Sequence, residues 1–226
     1  MEKVVIMHAR LLTVALIIAC GGLALPGAAR GGLVVSVANT SVEIGSTADI
    51  NVFIHSTTGT DLLDAFGLEL HLTPAAGPGV QFTDPPLSAH LFDPTYLFFA
   101  DSAAIQIGPP SDAVLSVSGT NDVYLGGDGT ASNSGILVPT TDTLLARIQV
   151  NAPLTTPASL YTISIDEQSP NTFFVGPLPN ADAIAFTTQS GSLQAVPEPA
   201  SLMALGGLAA LMGLTFLRRR RSNSSR

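Results

Sequence analysis

Residues 48–55 read ADINVFIH, and residues 66–72 read FGLELHL. In both stretches an apolar side chain stands at every second position, which is the period of a β-strand with one buried face. Clusters of Gly, Pro, Asn, Asp and Ser separate them from eight further strand candidates: residues 33–37, 79–82, 103–107, 113–117, 143–150, 160–165, 183–187 and 192–196. Short strands joined by such turns predict an all-β fold, an antiparallel two-sheet β-sandwich or jelly roll.

The rest of the middle segment gives little indication of helix. The only helical pattern is at residues 86–92, a short stretch that stands between Pro85 and Pro94. Stretches rich in proline or glycine are predicted to be loops within the domain: residues 74–79, 108–111 and 126–135. We therefore predict one β-sandwich domain that spans residues 31–195.

Charge is distributed unevenly along the chain. Between residues 31 and 196 there are fifteen Asp and Glu residues and one basic residue, Arg147, when histidine is counted as neutral. Such a surface repels the phosphates of nucleic acids and attracts divalent cations. The single cysteine, Cys20, precedes this segment, so the domain has neither a disulfide nor a thiolate metal site. Composition therefore argues against nucleic-acid binding and thiol redox chemistry.

The first 29 residues have the pattern of a secretory signal peptide. Lys3, His8 and Arg10 precede an uncharged apolar run at residues 11–25, and small residues follow that run. We predict cleavage after Ala29. A retained transmembrane helix is the alternative, but glycines and a proline interrupt the apolar run.

A second alternative for this end of the chain concerns Cys20. Residues 17–21, IIACG, resemble the lipobox of bacterial lipoproteins, in which the cysteine is lipidated and becomes the first residue. The residues after Cys20 remain apolar, whereas a lipoprotein usually continues with a polar tether. Processing by signal peptidase I is favoured, and lipoprotein anchoring at Cys20 stays open.

The C-terminal end combines an apolar segment with a basic tail. Residues 200–217 carry no charge, and a helix of that length spans about 27 Å, close to the hydrocarbon core of a bilayer. The basic tail at 218–226 follows at once and begins with Arg218, Arg219, Arg220 and Arg221. Arginines in this position hold the end of a span in the cytoplasm. We predict a single transmembrane helix with the sandwich outside.

Pro197, Glu198 and Pro199 stand immediately before the predicted span. Each proline fixes φ and lacks an amide donor, so the segment is extended and open to a processing enzyme. The order of tripeptide, apolar helix and arginine cluster at residues 196–226 resembles the PEP-CTERM sorting signal. The resemblance implies that exosortase, a membrane protease-transpeptidase, removes the helix and delivers the protein to the cell envelope or an extracellular polysaccharide matrix. An ordinary tail anchor with a proline-bearing stalk is the alternative.

The order of segments in the middle of the chain resembles a cohesin-like domain. The resemblance rests on the strands and turns at residues 35–37, 42–47, 63–70, 79–82, 144–150 and 191–196. It implies a nine-stranded jelly-roll sandwich that binds partner modules, and related sandwiches bind carbohydrate. Where the family often has Asp-Pro after the Phe-bearing strand, this chain has Thr73, Pro74 and an insertion.

The domain lacks the common catalytic motifs. It contains no His-Glu-x-x-His, no Gly-x-Ser-x-Gly and no glycine-rich phosphate loop with lysine. A triad built on His55, His71 or His90 would be defined by geometry alone. Glu69 and His71 stand two apart on a strand, so they point to the same side and could share a metal. We favour the simpler interpretation of two polar residues on a solvated face.

Two further groups offer binding chemistry. Three residues in a Gly-rich stretch offer oxygen ligands for calcium: Asn121, Asp122 and Asp128. Their spacing is not that of an EF-hand, and we favour the interpretation of this stretch as a turn. Three aromatic residues could stack against a sugar ring if they were exposed: Tyr96, Phe98 and Phe99. We favour a position in the hydrophobic core for them.

These observations predict a non-enzymatic, exported surface protein whose sandwich binds a protein or a carbohydrate. Its expected partners are exosortase, the membrane, and an extracellular polysaccharide or another surface protein, with no nucleic acid. We expect a single-pass stage in the cytoplasmic membrane, followed by the envelope or extracellular matrix. No metal or cofactor is predicted apart from the calcium candidate. The alternatives are a secreted carbohydrate-active or other hydrolase on the same scaffold and a lipoprotein anchored at Cys20.

Overall fold

A computed structural model describes residues 32–74, 79–83, 89–107, 113–115 and 120–198, all within one unit that spans residues 31–226. The strands in these residues are β1 (Leu33–Val37), β2 (Thr40–Glu43), β3 (Thr47–Ser56), β4 (Leu62–Leu63), β5 (Ala65–Thr73), β6 (Gln81–Phe82), β7 (Ala113–Leu115), β8 (Val123–Gly129), β9 (Ile136–Leu137), β10 (Thr143–Asn151), β11 (Leu160–Ile165), β12 (Phe173–Val175), β13 (Phe186–Gln189) and β14 (Gly191–Val196). The helical elements there are a 3-10 turn (Ala89–Phe92) and the short helix α1 (Ala103–Ile107).

Most strands belong to two sheets, which form the predicted sandwich. One sheet has the order β13-β1-β3-β10-β6, and the other has the order β2-β14-β11-β5-β8-β7, with β12 paired to β5. Strands β4 and β9 form a separate two-stranded ribbon. The strand pairs are antiparallel except for β1 with β13 and β2 with β14, which are parallel. The all-β sandwich predicted from the sequence is confirmed.

The alternating pattern that predicted β3 and β5 is the pattern of burial. Ile50, Val52 and Ile54 on β3 are buried, as are Leu68 and Leu70 on β5, and both sets belong to one hydrophobic core. Burying one aliphatic side chain of this size contributes about 1.5–3 kcal/mol. The period-two stripes therefore supply a large part of the driving force for folding.

Residues 103–107 form the helix α1, so the predicted strand there is wrong. The hydroxyl of Ser102 accepts the N–H of Ile105 at 3.2 Å, which is the geometry of a helix N-cap. Asp128 Oδ1 accepts the N–H of Ala104 at 3.0 Å. A local cap and a carboxylate from a distant strand thus satisfy the first amides and favour helix over strand.

Residues 126–129 lie in β8, so the predicted loop at 126–135 is wrong in its first part. Gly127 faces Gly67 across the β5–β8 pair. A Cβ atom at Gly127 would lie 2.5 Å from the carbonyl oxygen of Phe66, a separation that real side chains do not reach. Glycine at this position therefore reflects the close approach of two strands rather than a turn.

The remaining differences concern short elements and boundaries. The structure adds β2, β4, β8, β9 and β12 to the predicted strands, shifts the strand predicted at 183–187 to β13, and shortens the one predicted at 79–82 to β6. The helical pattern at 86–92 is confirmed as the 3-10 turn within its described part. Of the predicted loops at 74–79 and 108–111, residues 75–78 and 108–111 lie outside the described residues.

Candidate functional site

The last strand, β14, leads straight into the predicted processing motif. The carbonyl oxygen of Val196 accepts the N–H of Ile44 at 2.9 Å, so the sheet holds the chain up to the residue before Pro197. Pro197 and Glu198 follow without a regular element. The Pro-Glu-Pro tripeptide therefore begins where the hydrogen-bonded part of β14 ends.

Several predicted segments lie outside the described residues and stay predictions. These are the signal peptide at 1–29 with Ala29 and Cys20, the third motif residue Pro199, the span at 200–217, and the basic tail with Arg218, Arg219, Arg220 and Arg221. In the part of the chain that the structure describes, no helix is both long and apolar enough to cross a membrane.

A polar cluster stands on the sheet that contains β5 and β11. His71 Nε2 lies 2.9 Å from Glu69 Oε1 and 3.7 Å from Asp166 Oδ2. The sequence predicted the first pair from its spacing but not Asp166. In the paired strands His71 stands opposite Ser164, which brings the residues after β11 beside the cluster. The separation of 95 positions hides this neighbour from any local pattern.

Glu69 is held in its ionised form by its neighbours. Burial opposes ionisation, but hydrogen bonds from Asn171, Ser169 and His71 outweigh that effect and lower the pKa of Glu69 below its ordinary value. Asn171 Nδ2 donates to Glu69 Oε2 at 2.8 Å, and the Ser169 hydroxyl donates to the same oxygen. The carboxylate is therefore fixed and negatively charged near neutral pH.

The three histidines of the domain do not share a site. His55 pairs with the exposed Asp142 at 2.8 Å, whereas His71 contacts Glu69 and Asp166. His90 is 3% exposed, and its Nδ1 accepts the backbone N–H of Arg147 at 3.1 Å. A catalytic triad needs a nucleophile hydrogen-bonded to the histidine. In the described parts of the chain these polar partners are carboxylates and a backbone amide, so the geometry offers no activated serine.

Burial makes His90 sensitive to acid. Burial lowers its pKa to about 4 from 6.5, and the nearby charge of Arg147 acts in the same direction, against an opposing effect of Asp128. Between pH 4 and pH 6.5 the unfolded chain binds a proton at His90 that the folded chain does not. The contribution of His90 to the free energy of unfolding is therefore fully present above pH 6.5 and is lost as the pH falls toward 4. The expected loss is about 3 kcal/mol.

Urea unfolding of residues 31–196 between pH 7 and pH 4 measures this effect of His90. The His90→Gln variant is expected to lose most of the pH dependence over that range, because the titrating imidazole is absent. The His55→Gln variant, changed on the solvated face, is expected to keep it. If the free energy of unfolding of His90→Gln depends on pH as strongly as that of the original chain, His90 is not the group responsible for the acid sensitivity.

The residues predicted as a calcium loop are separated in the structure. Asn121 and Asp122 precede β8, whereas Asp128 lies near its far end, about 20 Å away along an extended strand. Asp128 Oδ2 accepts the hydroxyls of Tyr96 and Ser102, at 2.7 and 2.5 Å. These three residues thus do not converge on one ion, and Asp128 instead ties the segment before α1 to β8.

The aromatic group at 96–99 is mainly part of the core, as favoured from the sequence. Tyr96 and Phe98 are buried, and Phe98 packs against Phe66 with ring centroids 5.6 Å apart. Phe99 is 45% exposed. One half-exposed ring does not form a stacking platform, so the sugar-binding role is not supported at these residues.

The decisive comparison concerns the C-terminal end. Residues 195–221 match the PEP-CTERM protein-sorting motif. This chain carries a PEP-CTERM sorting signal. The match includes Pro197, Glu198 and Pro199 and extends through Arg218 to Arg221, as predicted from the order of these features. The motif indicates an exported protein that exosortase processes.

Comparison with solved structures identifies the fold. A chain from the crystal structure of a CaDoc0917 variant with CaCohA2 superposes with a TM-score of 0.53 and 12% identity, over 73% of this chain and 99% of that chain. A chain from the type I cohesin–dockerin complex Coh-OlpC–Doc435 of Clostridium thermocellum gives 0.51 and 12%, over 77% and 100%. No curated protein sequence matches the chain. The PEP-CTERM chain thus has a cohesin-like sandwich.

Proposed function

We propose that this PEP-CTERM protein is presented at the cell surface or in the extracellular matrix, where its sandwich acts as a binding module. The observation that carries the proposal is the sorting motif at residues 195–221, which begins inside the last strand of the folded domain. Exosortase removes the span at 200–217 and the basic tail, and the sandwich remains outside. Before that step the protein is anchored in the cytoplasmic membrane by a single helix.

The short connection between β14 and the predicted span limits how far the sandwich can lie from the membrane before processing. Only residues 197–199 separate β14 from the predicted span, and three extended residues cover about 10 Å. The sandwich therefore stands close to the membrane surface while the signal is intact. Exosortase must act in the narrow space between the domain and the bilayer.

The binding role of the sandwich is supported by its fold and by its polar chemistry. The similar Coh-OlpC–Doc435 structure is a type I cohesin–dockerin complex, and we propose that this sandwich also binds a protein. Among the described residues the polar partners of the three histidines are carboxylates and a backbone amide rather than serine hydroxyls, which favours binding over hydrolysis. A polysaccharide of the matrix is the other proposed ligand.

Binding and turnover can be separated with residues 31–196, after circular dichroism has verified folding. We expect saturable binding to a purified envelope protein or to one class on a glycan array, with no product released from polysaccharide, ester or peptide substrates. The Asp142→Ala variant removes one exposed negative charge and serves as a control that shows how far binding depends on surface charge alone. Hydrolysis that a single His55, His71 or His90 substitution abolishes would contradict the proposal and support the hydrolase alternative.

A further inference from the structure

The cluster of Glu69, His71 and Asp166 has the donor set of a metal site. Ligand atoms of all three side chains lie within 4.8 Å of one another. Imidazole nitrogen and carboxylate oxygen are both ligands of Zn²⁺, whereas calcium prefers oxygen ligands alone. We propose that these residues bind a divalent transition metal such as Zn²⁺ on the outer face of the sandwich.

The distances from His71 to the two carboxylates are compatible with a tetrahedral ion. With metal–ligand bonds of about 2.0–2.1 Å, two ligands of a tetrahedral site stand about 3.3 Å apart. His71 Nε2 lies 2.9 Å from Glu69 Oε1 and 3.7 Å from Asp166 Oδ2, so the required value falls between the two observed distances. The third distance, between the two carboxylate oxygens, is within 4.8 Å, so rotation of the side chains is needed to close the three ligands on one ion.

In each carboxylate, one oxygen faces His71 and the other accepts hydrogen bonds that orient the group. Glu69 Oε2 accepts Asn171 Nδ2 at 2.8 Å and also the Ser169 hydroxyl, which leaves Oε1 toward the imidazole. Asp166 Oδ1 accepts the N–H of Gln168 at 2.9 Å, which leaves Oδ2 toward the same nitrogen. Hydrogen bonds of this kind orient ligands and raise metal affinity.

The backbone also fixes the two carboxylates relative to each other. The N–H of Asp166 donates to the carbonyl oxygen of Glu69 at 2.9 Å, directly after the paired strands β5 and β11. The backbone of the cluster is therefore fixed by the sheet, and binding an ion requires only side-chain movement.

Exposure and charge permit an ion to enter. The side chains of His71 and Asp166 are each 38% exposed and that of Glu69 is 15% exposed, so a fourth position opens to solvent. Between residues 31 and 198 the only lysine or arginine is Arg147, whose guanidinium binds Asp93 and Asn51 instead. No lysine or arginine of the domain neutralises this cluster, so its negative charge is available to a cation.

The full-length chain in detergent micelles, titrated with Zn²⁺ against a chromogenic chelator, tests the site. We expect one ion per chain at this site and an increase in the melting temperature with Zn²⁺ concentration. Both His71→Gln and Asp166→Asn are expected to weaken this binding by about tenfold or more. The matched control is His55→Gln, because His55 and Asp142 form a similar pair at 2.8 Å that has no third ligand among the described residues.

The variants also separate a metal site from a surface ion pair. Two results together support the proposal. His71→Gln loses the increase in melting temperature that Zn²⁺ causes, and in the presence of chelator it melts at the same temperature as the original chain. Equal Zn²⁺ affinity in the original chain, His71→Gln and Asp166→Asn would overturn it. A loss in His55→Gln as large as in His71→Gln would overturn it as well.

Discussion

Simultaneous replacement of Pro197, Glu198 and Pro199 by alanine is expected to abolish C-terminal processing. The variant should accumulate in the cytoplasmic membrane with its arginine tail attached, because the remaining apolar segment and basic cluster still form a stop-transfer signal. The envelope or matrix fraction should lose nearly all of the protein. Immunoblotting of cell fractions, with one antibody against the sandwich and one against the C-terminal tail, measures both changes.

A second Pro-x-Pro sequence in the chain provides the control. Residues 177–179 read PLP, and the side chain of Leu178 is 58% exposed, so Leu178→Glu creates a second Pro-Glu-Pro within the sandwich. We expect no cleavage there, because no apolar span and arginine cluster follow it directly. Cleavage at the new tripeptide, or normal processing of the triple alanine variant, would show that the tripeptide and the span do not act together as the signal.

Asp128→Ala is expected to give the largest loss of stability among changes to polar side chains of the domain. The carboxylate accepts the hydroxyls of Tyr96 and Ser102 and the amides of Ala104 and Gly129. Hydrogen bonds to a charged group are worth about 1.5–3 kcal/mol, and removal of the acceptor leaves part-buried donors without it. We expect a loss of about 4 kcal/mol in the free energy of unfolding.

Urea unfolding of residues 31–196 at pH 7 measures this loss. Asp142→Ala removes an exposed carboxylate with one histidine partner and is expected to cost less than about 1 kcal/mol. Asp128→Asn, which keeps an acceptor oxygen, should lie between the two. A difference below about 1 kcal/mol between Asp128→Ala and the original chain would contradict the role of Asp128.

The elements that the sequence predicted well are those with a local signal. Ile50, Val52 and Ile54 alternate with more polar residues, and this pattern is sufficient to locate β3 and its buried face. The sorting motif was also predictable, since exosortase substrates carry it as a linear segment with fixed order. Both predictions depend on neighbours in the chain and not on the way the sheets pack.

The elements that the sequence predicted wrongly depend on contacts between distant residues. Helix α1 resembles a strand in composition, but Ser102 caps it and Asp128 reaches it from β8. The glycines of β8 read as a turn until Gly127 is placed against Gly67. Composition alone cannot distinguish a glycine that permits a turn from one that permits close strand approach.

The polar cluster at Glu69 illustrates the same limit for binding sites. Spacing brought Glu69 and His71 to one side of β5, which is a local property of a strand. Asp166 joins them only because β11 pairs with β5 in the register that sets Ser164 opposite His71. The step from a polar pair to a cluster of three polar residues therefore required the topology of the sheet.

C-terminal mass spectrometry of the protein recovered from its host tests sorting most directly. When exosortase is active, we expect a mature C-terminus upstream of residue 200 and no peptide from residues 218–226. When the exosortase gene is deleted, the same tail should reappear on a membrane-bound chain. Recovery of the intact tail from a strain with active exosortase would contradict the account.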